Sequence, residues 1–583
     1  MQRDNNPNYT SRSTKERLKK NKLMFWNAML LICAMFASSN QPELLQSHNV
    51  DFAPGSDLAG EGFDITTMQR KGAFVLDMSS WLQKDKSCTL CKNPYMGGKT
   101  QKTPVSVVDW RPSQKCSMKV SSSVYQSSEA LVSASTSTIK NNWKLGLQIT
   151  IPKVQGSLIL AGSNSKLAGY SMGKTKKDKF SFASHDVSCA HYKYRVSGGP
   201  LLHQELINEF GRLPEIYSES SKHLYYKLID KFGTHYITKV TLGGEVHSVT
   251  SIKECEASLQ GLSVDEVKIC LDVEASVSMG IAANLKTETH HCNWLNYFKY
   301  ISLLNYSKNM FCIISKRETV VIGGYTQSVN LFFSSKNYPK AYKEWVLSLP
   351  SHPDMLCYSL EPLHELLPAT QQIRAHLRTA IKHYILQRGL LKNCTSSCKI
   401  GVKTNPNEPC SCSCHNKPDV VLNCCPTQRG FAEVTITAIR AKGLYGDYWT
   451  QTDTSMIPND DSPIWNHQFH LGTVDLTQFS TVKMEVWDED SDSYNNLLGN
   501  DVCALNHGVL YYKVEVKCVH CLAGSSCMEY KPSPMDAQLE KVYVSRNARP
   551  IPRGMLLEMG VLLDERIPCF NQSNIRKAKG LQL

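Results

Sequence analysis

Seven cysteines crowd into one short stretch of this chain: Cys394, Cys398, Cys410, Cys412, Cys414, Cys424 and Cys425. A segment so dense in thiols folds around cross-links rather than around an apolar core. Zinc is one option, because structural zinc favours closely spaced cysteine pairs and His415 lies adjacent. With 22 cysteines among 583 residues, disulfides in an oxidising compartment are the expected reading. Spacing alone leaves their connectivity open. The N-terminus agrees with export. Lys15, Arg17, Lys19, Lys20 and Lys22 precede an apolar run from Leu23 to Ala37, followed by Ser38 and Ser39. Basic, apolar, small is the order of a signal peptide. Residues 1–39 are therefore expected to be a signal peptide with a long basic leader; initiation at Met24 and an uncleaved anchor are the alternatives. The apolar run is about 15 residues, against about 20 for a spanning helix. No other charge-free stretch is long enough to cross a bilayer as a helix, so a membrane role needs another route.

The remaining composition is that of a globular chain of several domains, 42% hydrophobic and 20% charged. A formal charge of +13 suits an anionic surface, but it is spread along the chain and reads as solvated basic faces; nucleic acid is not an expected partner. Two segments alternate with period two. Trp143, Leu145, Leu147, Ile149 and Ile151 are separated by Lys144, Gly146, Gln148 and Thr150. Leu271, Val273, Ala275, Val277, Met279 and Ile281 are separated by Asp272, Glu274, Ser276, Ser278 and Gly280. Both are expected to be strands, either half-buried or able to line a barrel with one face to lipid and one to water. Apolar residues at helical spacing predict helices around 201–231 and from Pro362 to Arg388. Beyond Gly430 the chain becomes strand-rich with acidic turns.

Enzyme signatures are missing. There is no G-x-S-x-G nucleophile elbow and no H-E-x-x-H zinc motif. Met96-Gly97-Gly98-Lys99-Thr100 looks like the end of a phosphate-binding loop, yet Asn93 stands where glycine is required. The chain is not expected to be an enzyme.

Residues 232–244 carry the most specific pattern: Phe232-Gly233-Thr234-His235-Tyr236, six residues, then Gly243-Gly244. This resembles the signature of the membrane-attack-complex/perforin (MACPF) family. Gly60-Glu61-Gly62-Phe63-Asp64, Cys88-Thr89-Leu90-Cys91, Asn142 to Leu147, Glu361-Pro362-Leu363-His364, Cys424-Cys425-Pro426 and Ser462-Pro463-Ile464-Trp465 resemble family segments in the right order. The resemblance implies an α+β fold. Its parts are a bent antiparallel sheet with two flanking helical clusters, a small disulfide-rich EGF-like module and an all-β C2 sandwich. The expected boundaries are 40–390 for the MACPF domain, 391–426 for the EGF-like linker, 427–520 for a shortened C2 domain and 521–583 for a C-terminal tail. In this family the clusters unfurl into amphipathic hairpins and many subunits close a barrel; here they are expected at about 155–190 and 275–320. Gly243 and Gly244, with Gly323 and Gly324, would let the sheet bend and open.

The resemblance further implies the pairs Cys394–Cys410, Cys398–Cys412, Cys414–Cys424, Cys255–Cys425, Cys116–Cys189 and Cys518–Cys527. Cys88 and Cys91 would pair with two cysteines nearer the N-terminus, where this chain has only Cys33. In the C2 region Asp447, Asp453, Asp488 and Asp490 match calcium-ligand positions. The last acidic positions fall at Asn495 and Asn496, with Asp492 a substitute. Tyr445, Tyr448 and Trp449 would touch the bilayer interface. Asn571, in the sequon Asn571-Gln572-Ser573, is the candidate glycan site whose bulk would block premature assembly; Asn305 and Asn393 also head sequons. Three departures stand out. The second cluster is unusually apolar, from Asn293-Trp294 to Ile313-Ile314. The C2 region lacks a strand and hairpin after Asp453, which would expose an edge and part of its core. Shortening before Cys503 removes that residue's usual partner and makes Cys521 a candidate. The function implied is a secreted, calcium-dependent pore former that binds a target bilayer, assembles into a homo-oligomeric ring and delivers granule serine proteases. It would pass from the lumen of a cytolytic granule to the target membrane. The alternatives are a complement-like lytic component and a non-lytic membrane-binding variant.

Overall fold

The computed structural model describes residues 50–562, with the exception of 118, 140–142, 151–155, 280–312, 326–337, 369–370, 395–396, 399–400, 404–409, 411, 416–418, 445–448, 452–456, 459–460, 479–480, 483, 485, 489–495, 500–507 and 534–546. From the N-terminal side come β1 (Glu61–Asp64), β2 (Gln69–Phe74), β3 (Leu90–Asn93), β4 (Lys99–Lys102), β5 (Val107–Cys116) and β6 (Ser121–Tyr125). Helix α1 (Ser128–Ser135), β7 (Gly156–Ile159) and helix α2 (Lys166–Thr175) lead into the long strand β8 (Phe180–Val196). Helices α3 (Gln204–Gly211) and α4 (Lys222–Phe232) precede β9 (His235–Lys253), and α5 (Glu254–Ser258) and α6 (Val264–Ser278) follow it. Next are β10 (Ile314–Ile322), α7 (Tyr338–Ser348), β11 (Asp354–Pro362), α8 (Gln372–Arg388) and β12 (Leu390–Asn393). The C-terminal part holds β13 (Phe431–Lys442), β14 (Trp449–Gln451), β15 (Ile457–Pro458), β16 (Ile464–Asp475), β17 (Val486–Asp488), β18 (Asn496–Gly499) and β19 (Val509–Cys518). It ends with β20 (Leu522–Ala523), β21 (Glu529–Tyr530), β22 (Arg549–Pro550) and α9 (Arg553–Glu558).

Two compact units divide the chain. The smaller contains the hairpin β3–β4, where the Asn93 amide donates to Gln101 at 2.9 Å and the Lys102 ammonium stands 4.6 Å from the Trp81 ring centre. The larger is organised by the antiparallel pair β8–β9, in register from Phe180 opposite Lys253 to Arg195 opposite Lys239. Each long strand carries two shorter partners in tandem. On the outer side of β8, β5 pairs with the half from Cys189 to Val196 and β6 with the half from Phe182 to Asp186. On the outer side of β9, β11 pairs with the half from His235 to Gly243 and β10 with the half from Glu245 to Ile252. The sheet therefore has a seam across its middle, where neighbours change and the ladder slips at Ala190/Tyr192. This is the expected bent antiparallel sheet.

Two strand expectations are corrected. Residues 143–150 form turns around a single 3-10 helix at Leu145–Leu147, not a strand; Trp143 and Leu147 are buried while Leu145 is 71% exposed. Burial four residues apart with the middle residue out is the mark of a helical turn, which alternation cannot distinguish over so short a run. The segment around 271–278 belongs to α6. Val267, Leu271 and Ala275 are buried at four-residue spacing, packing with Ala183 and Ile252 at one end and Val187, Val246 and Met279 at the other. Any i, i+4 series is contained within period-two alternation, so the pattern supports both structures. The decisive local signal is a capping box: the Ser263 hydroxyl accepts from Glu266 N at 3.2 Å, and Ser263 N donates to Glu266 Oε2 at 2.8 Å. The first cluster is likewise only partly helical within 155–190, since β7 and most of β8 lie there.

In the C-terminal sandwich, β16-β13-β19 face the short strands β15-β14-β17-β18. The second sheet's strands run for only 2 to 4 residues against 10 to 12 in the first. On the inner face Ile436 and Val434 are buried, but their cross-strand neighbours Val514 and Val516 on β19 are 45% and 47% exposed. Ile436→Ala should cost about 2–5 kcal/mol in the C2 transition of the full-length protein. Val514→Thr should stay within about 0.5 kcal/mol. Equal losses in calorimetry would contradict this picture of a half-covered sheet.

Candidate functional site

The seam is where the sheet's backbones come closest. Cys116, Cys189 and Gly244 lie in one row across β5, β8 and β9, with Cys116 and Cys189 disulfide-bonded. A Cβ on Gly243 would overlap the Cys189 carbonyl, and one on Gly244 would meet Trp345 and Leu349. Backbones approach here more closely than any side chain permits. The chain leaves β10 through Gly323 and Gly324, both at positive φ. Against this turn sits α7: the indole of fully buried Trp345 donates to Gly323 O at 2.9 Å. Trp345, Tyr342 and Leu349 pack with Val187, Val246 and Met279, so α7 wedges the bend and touches the end of α6.

Beyond the seam both helical clusters leave the sheet from the same end. Residues 126–179 connect β6 to β8, which are adjacent and antiparallel with Tyr125 opposite Phe182. Residues 254–313 connect β9 to β10, again adjacent and antiparallel, with Ile252 opposite Ile314. Each cluster is thus an insertion in a hairpin whose two stems already stand side by side. In the first cluster α1 and α2 begin at serine caps, Ser127 accepting from Ala130 N and Ser165 from Ala168 N, each at 3.1 Å.

In the second cluster α6 is tied down by charge as well as by its apolar face. His185 contacts Asp272 at 2.9 Å, and Arg317 reaches Glu274 at 3.5 Å while donating to Thr250 at 3.1 Å. Burial raises the Asp272 carboxyl, but hydrogen bonds from His185, Lys268 and Ser122 outweigh it and hold the group below its ordinary range. Beside the seam His247 contacts Asp186. Burial pulls this imidazole down, yet Asp186 and Glu245 raise it above its usual value. The sequence pattern singles out none of α7, His185, Arg317 or Trp345; the Ser263-x-x-Glu266 box is the signal that reveals the helix they clamp.

The signature residues divide between two jobs. Phe232 closes α4, fully buried, and Gly233 caps it at φ +83° where a Cβ would strike Phe63. Thr234 accepts from Ile65 N at 3.0 Å through its hydroxyl and donates its own N to Phe63 O at 2.9 Å. The His235 ring lies between the Thr234 hydroxyl at 2.7 Å and the Trp143 carbonyl at 3.1 Å. Tyr236 donates to Glu361 Oε2 at 2.6 Å. The first half therefore knots β1, β9 and β11 to the Trp143 turn of the first cluster, and the Gly243-Gly244 half forms the bend. Burial depresses His235 to about 4, and His364 and His383 are pushed down to about 3 and about 4, also chiefly by burial.

Cys255–Cys425, Cys394–Cys410, Cys398–Cys412, Cys414–Cys424 and Cys518–Cys527 are disulfide-bonded, and so is Cys270. Among the acidic positions Asp488 ends β17, its backbone opposite Thr450 of β14 and Asn496 of β18. Asp447, Asp453, Asp490, Asp492, Tyr445, Tyr448 and Asn571 lie outside the described residues; Trp449 begins β14.

Comparisons with known proteins agree along the chain. The MAC/Perforin domain family matches residues 52–394, the Perforin-1-like EGF domain 393–427 and the C2 domain 431–518. Perforin-1 of Mus musculus is 34% identical over 522 residues, covering 85% of this chain and 93% of that protein. Perforin-1 of Homo sapiens is 35% identical over 518 residues, covering 84% and 92%. The complement component C8 beta chain of Paralichthys olivaceus is 24% identical over 252 residues, covering 41% of each chain.

His235, His364 and His383 contribute to the acid response. Their neutral forms are the ones the fold accommodates, so their contribution is complete above the ordinary value near 6.5 and is lost as pH falls from there through about 4. For His235 the shift corresponds to roughly 3 kcal/mol. Denaturant unfolding at steps from pH 7 to 4 should show falling stability, with a visibly shallower fall in His235→Gln. An unchanged slope in that variant would contradict the assignment.

Proposed function

The chain belongs to the membrane-attack-complex/perforin family, and from that premise we propose that it is a secreted, calcium-dependent pore-forming cytolysin rather than an enzyme. The observation that carries the proposal is the shared exit of the two clusters. β6 and β8 form one open hairpin stem and β9 and β10 another, at one end of one sheet. Extending these stems through residues 126–179 and 254–313 would give two long hairpins. Each half would far exceed the about 9–11 residues that a tilted membrane strand needs. Among the described residues no helix is long and apolar enough to cross a bilayer, whereas strands can cross without one. An isolated hairpin leaves its edges unsatisfied in hydrocarbon, so insertion is coupled to closure of a ring of copies. The period-two pattern at 271–279, which fails as a description of the folded protein, suits the same residues as a lipid-facing strand.

Docking is assigned to the C2 domain. Asp447, Asp453, Asp488, Asp490 and Asp492 would together supply an all-oxygen donor set that suits calcium and would hold the ion. The pairing of Thr450 with Asp488 supports the meeting of the two acidic stretches. The bound ion would supply positive charge towards lipid phosphates. Tyr445, Tyr448 and Trp449 would seat in the interface, with Asn571 as the glycan site. The extent of similarity to Perforin-1 supports storage in cytolytic granules, ring assembly and delivery of granule serine proteases to a target cell. A second reading, a member that binds membranes without perforating them, is favoured by the shortened second sheet of the C2 domain.

Purified protein added to dye-loaded phosphatidylcholine vesicles should bind and release dye with calcium and do neither in chelator. Asp488→Asn should reduce both at least tenfold. Calcium-dependent binding with no leakage would overturn the pore-forming reading in favour of the second one.

A further inference from the structure

The segment that follows the C2 sandwich runs back over the first helical cluster, and four buried polar side chains of the MACPF domain find partners there. Asn547, 2% exposed, is the centre of the contact. The hydroxyls of Thr175 on α2 and Ser128 on α1 converge on its Oδ1, Ser128 at 3.3 Å. Its Nδ2 donates to Met172 O at 2.9 Å. One side chain thus bridges both helices. The next residue continues the contact. Ala548 N donates to Glu129 Oε1 at 2.6 Å, and the other oxygen of this carboxylate, 4% exposed, pairs with Lys392 at 3.0 Å. Ala548 itself packs with Val132, Ile159 and Ala168. β22 then pairs with β12, whose other edge holds β7 of the cluster. At the far end of the cluster, where α2 gives way to β8, Asp178 is 2% exposed; it accepts from the Tyr530 hydroxyl and from Ser533 N at 3.0 Å.

We propose that residues 519–533 and 547–562 form an autoinhibitory strap that holds α1, β7 and α2 in the closed state, with Asn547 and Glu129 as its clasp. The inference rests on the pore-forming reading in one respect, that this cluster must leave the sheet. Release of the cluster parts Glu129 from Ala548 N, Asp178 from Tyr530 and Ser533 N, and Thr175 and Ser128 from Asn547 in one step. Buried polar groups that lose partners carry a desolvation penalty, so the closed state persists until the strap is lifted. The strap is also covalently continuous with β19 and is held near it by Cys518–Cys527. The first cluster is therefore mechanically linked to the C2 domain, and displacement of that domain at a membrane surface would be felt first at Tyr530 and Asn547.

Two measurements on the full-length protein test this. Without membranes, hydrogen exchange of the α1 and α2 amides should quicken about tenfold or more in Asn547→Ala and in Glu129→Gln, with α8 unchanged as an internal control. Exchange in α1 and α2 that matches the parent in both variants would overturn the strap. For release, the double variant Thr175→Cys/Asn547→Cys replaces the clasp with a covalent bond. Oxidised, it should bind phosphatidylcholine vesicles as the parent does but release less than about a tenth of the dye released by Thr175→Cys alone. Leakage equal to that control would show that the cluster opens with the strap in place and would overturn the proposal. If the single-cysteine control itself fails to leak, the pore-forming reading falls, and the exchange result still decides whether the strap holds the cluster.

Discussion

The backbone ladder between β8 and β9 is the contact around which the large sheet is built. It crosses the seam, from Phe180–Lys253 to Arg195–Lys239, with a slip at Ala190/Tyr192. This ladder satisfies the inward-facing half of each strand's backbone groups, and the shorter strands on the two outer edges satisfy those of the other half that they pair with. β5 and β6 share one outer edge, β11 and β10 the other, and both changes of partner occur at the row containing Cys189 and Gly244. One half of the sheet is anchored by the signature knot around Thr234 and His235. The other half ends in the two clusters. A spine with a bend at its middle and two helical clusters at one end follows from this single pairing.

What holds the clusters in place differs between them. The second is kept by an apolar helix face on the sheet, by His185–Asp272 and Arg317–Glu274, and by the wedge of α7 at the bend. The first also has an apolar seat, Leu131, Leu167 and Tyr170 against Phe180, Phe182 and Val249, and adds contacts remote in the chain: the His235 ring on the Trp143 carbonyl and the post-C2 segment on Glu129, Ser128 and Thr175. These remote ties are buried and polar, and such groups become costly once a partner is removed. They favour a switch with two well-separated states over gradual loosening.

Much of this was legible in the sequence because the residues involved have no ordinary substitute. Gly233 at positive φ, the close approach at Gly243 and the fully buried His235 tolerate little else, so the signature survives as a readable string. The cysteine spacing of the linker and the strand-rich C-terminal part were equally plain. The helical state of α6 was not, because Leu271 and Ala275 satisfy both periods at once. That ambiguity has a physical origin if the same residues serve two folded states. The strap was invisible for a different reason. Ser128 and Asn547 are 419 positions apart, and neither carries a pattern that names the other. Local physics finds elements, whereas contacts of this span appear only once the sheet has brought its ends together.

Under the proposed function, residues now in helices would re-form as strands continuing β6–β8 and β9–β10. Single cysteines placed in turn from Lys166 to Thr175 and from Val264 to Ser278, labelled with an environment-sensitive dye, test this directly. In solution dye environment should vary with the helical period of about 3.6 residues. After addition of vesicles and calcium it should switch to strict alternation, successive labels reporting lipid and water in turn. Retention of the helical period in both segments on leaking vesicles would contradict the helix-to-strand conversion.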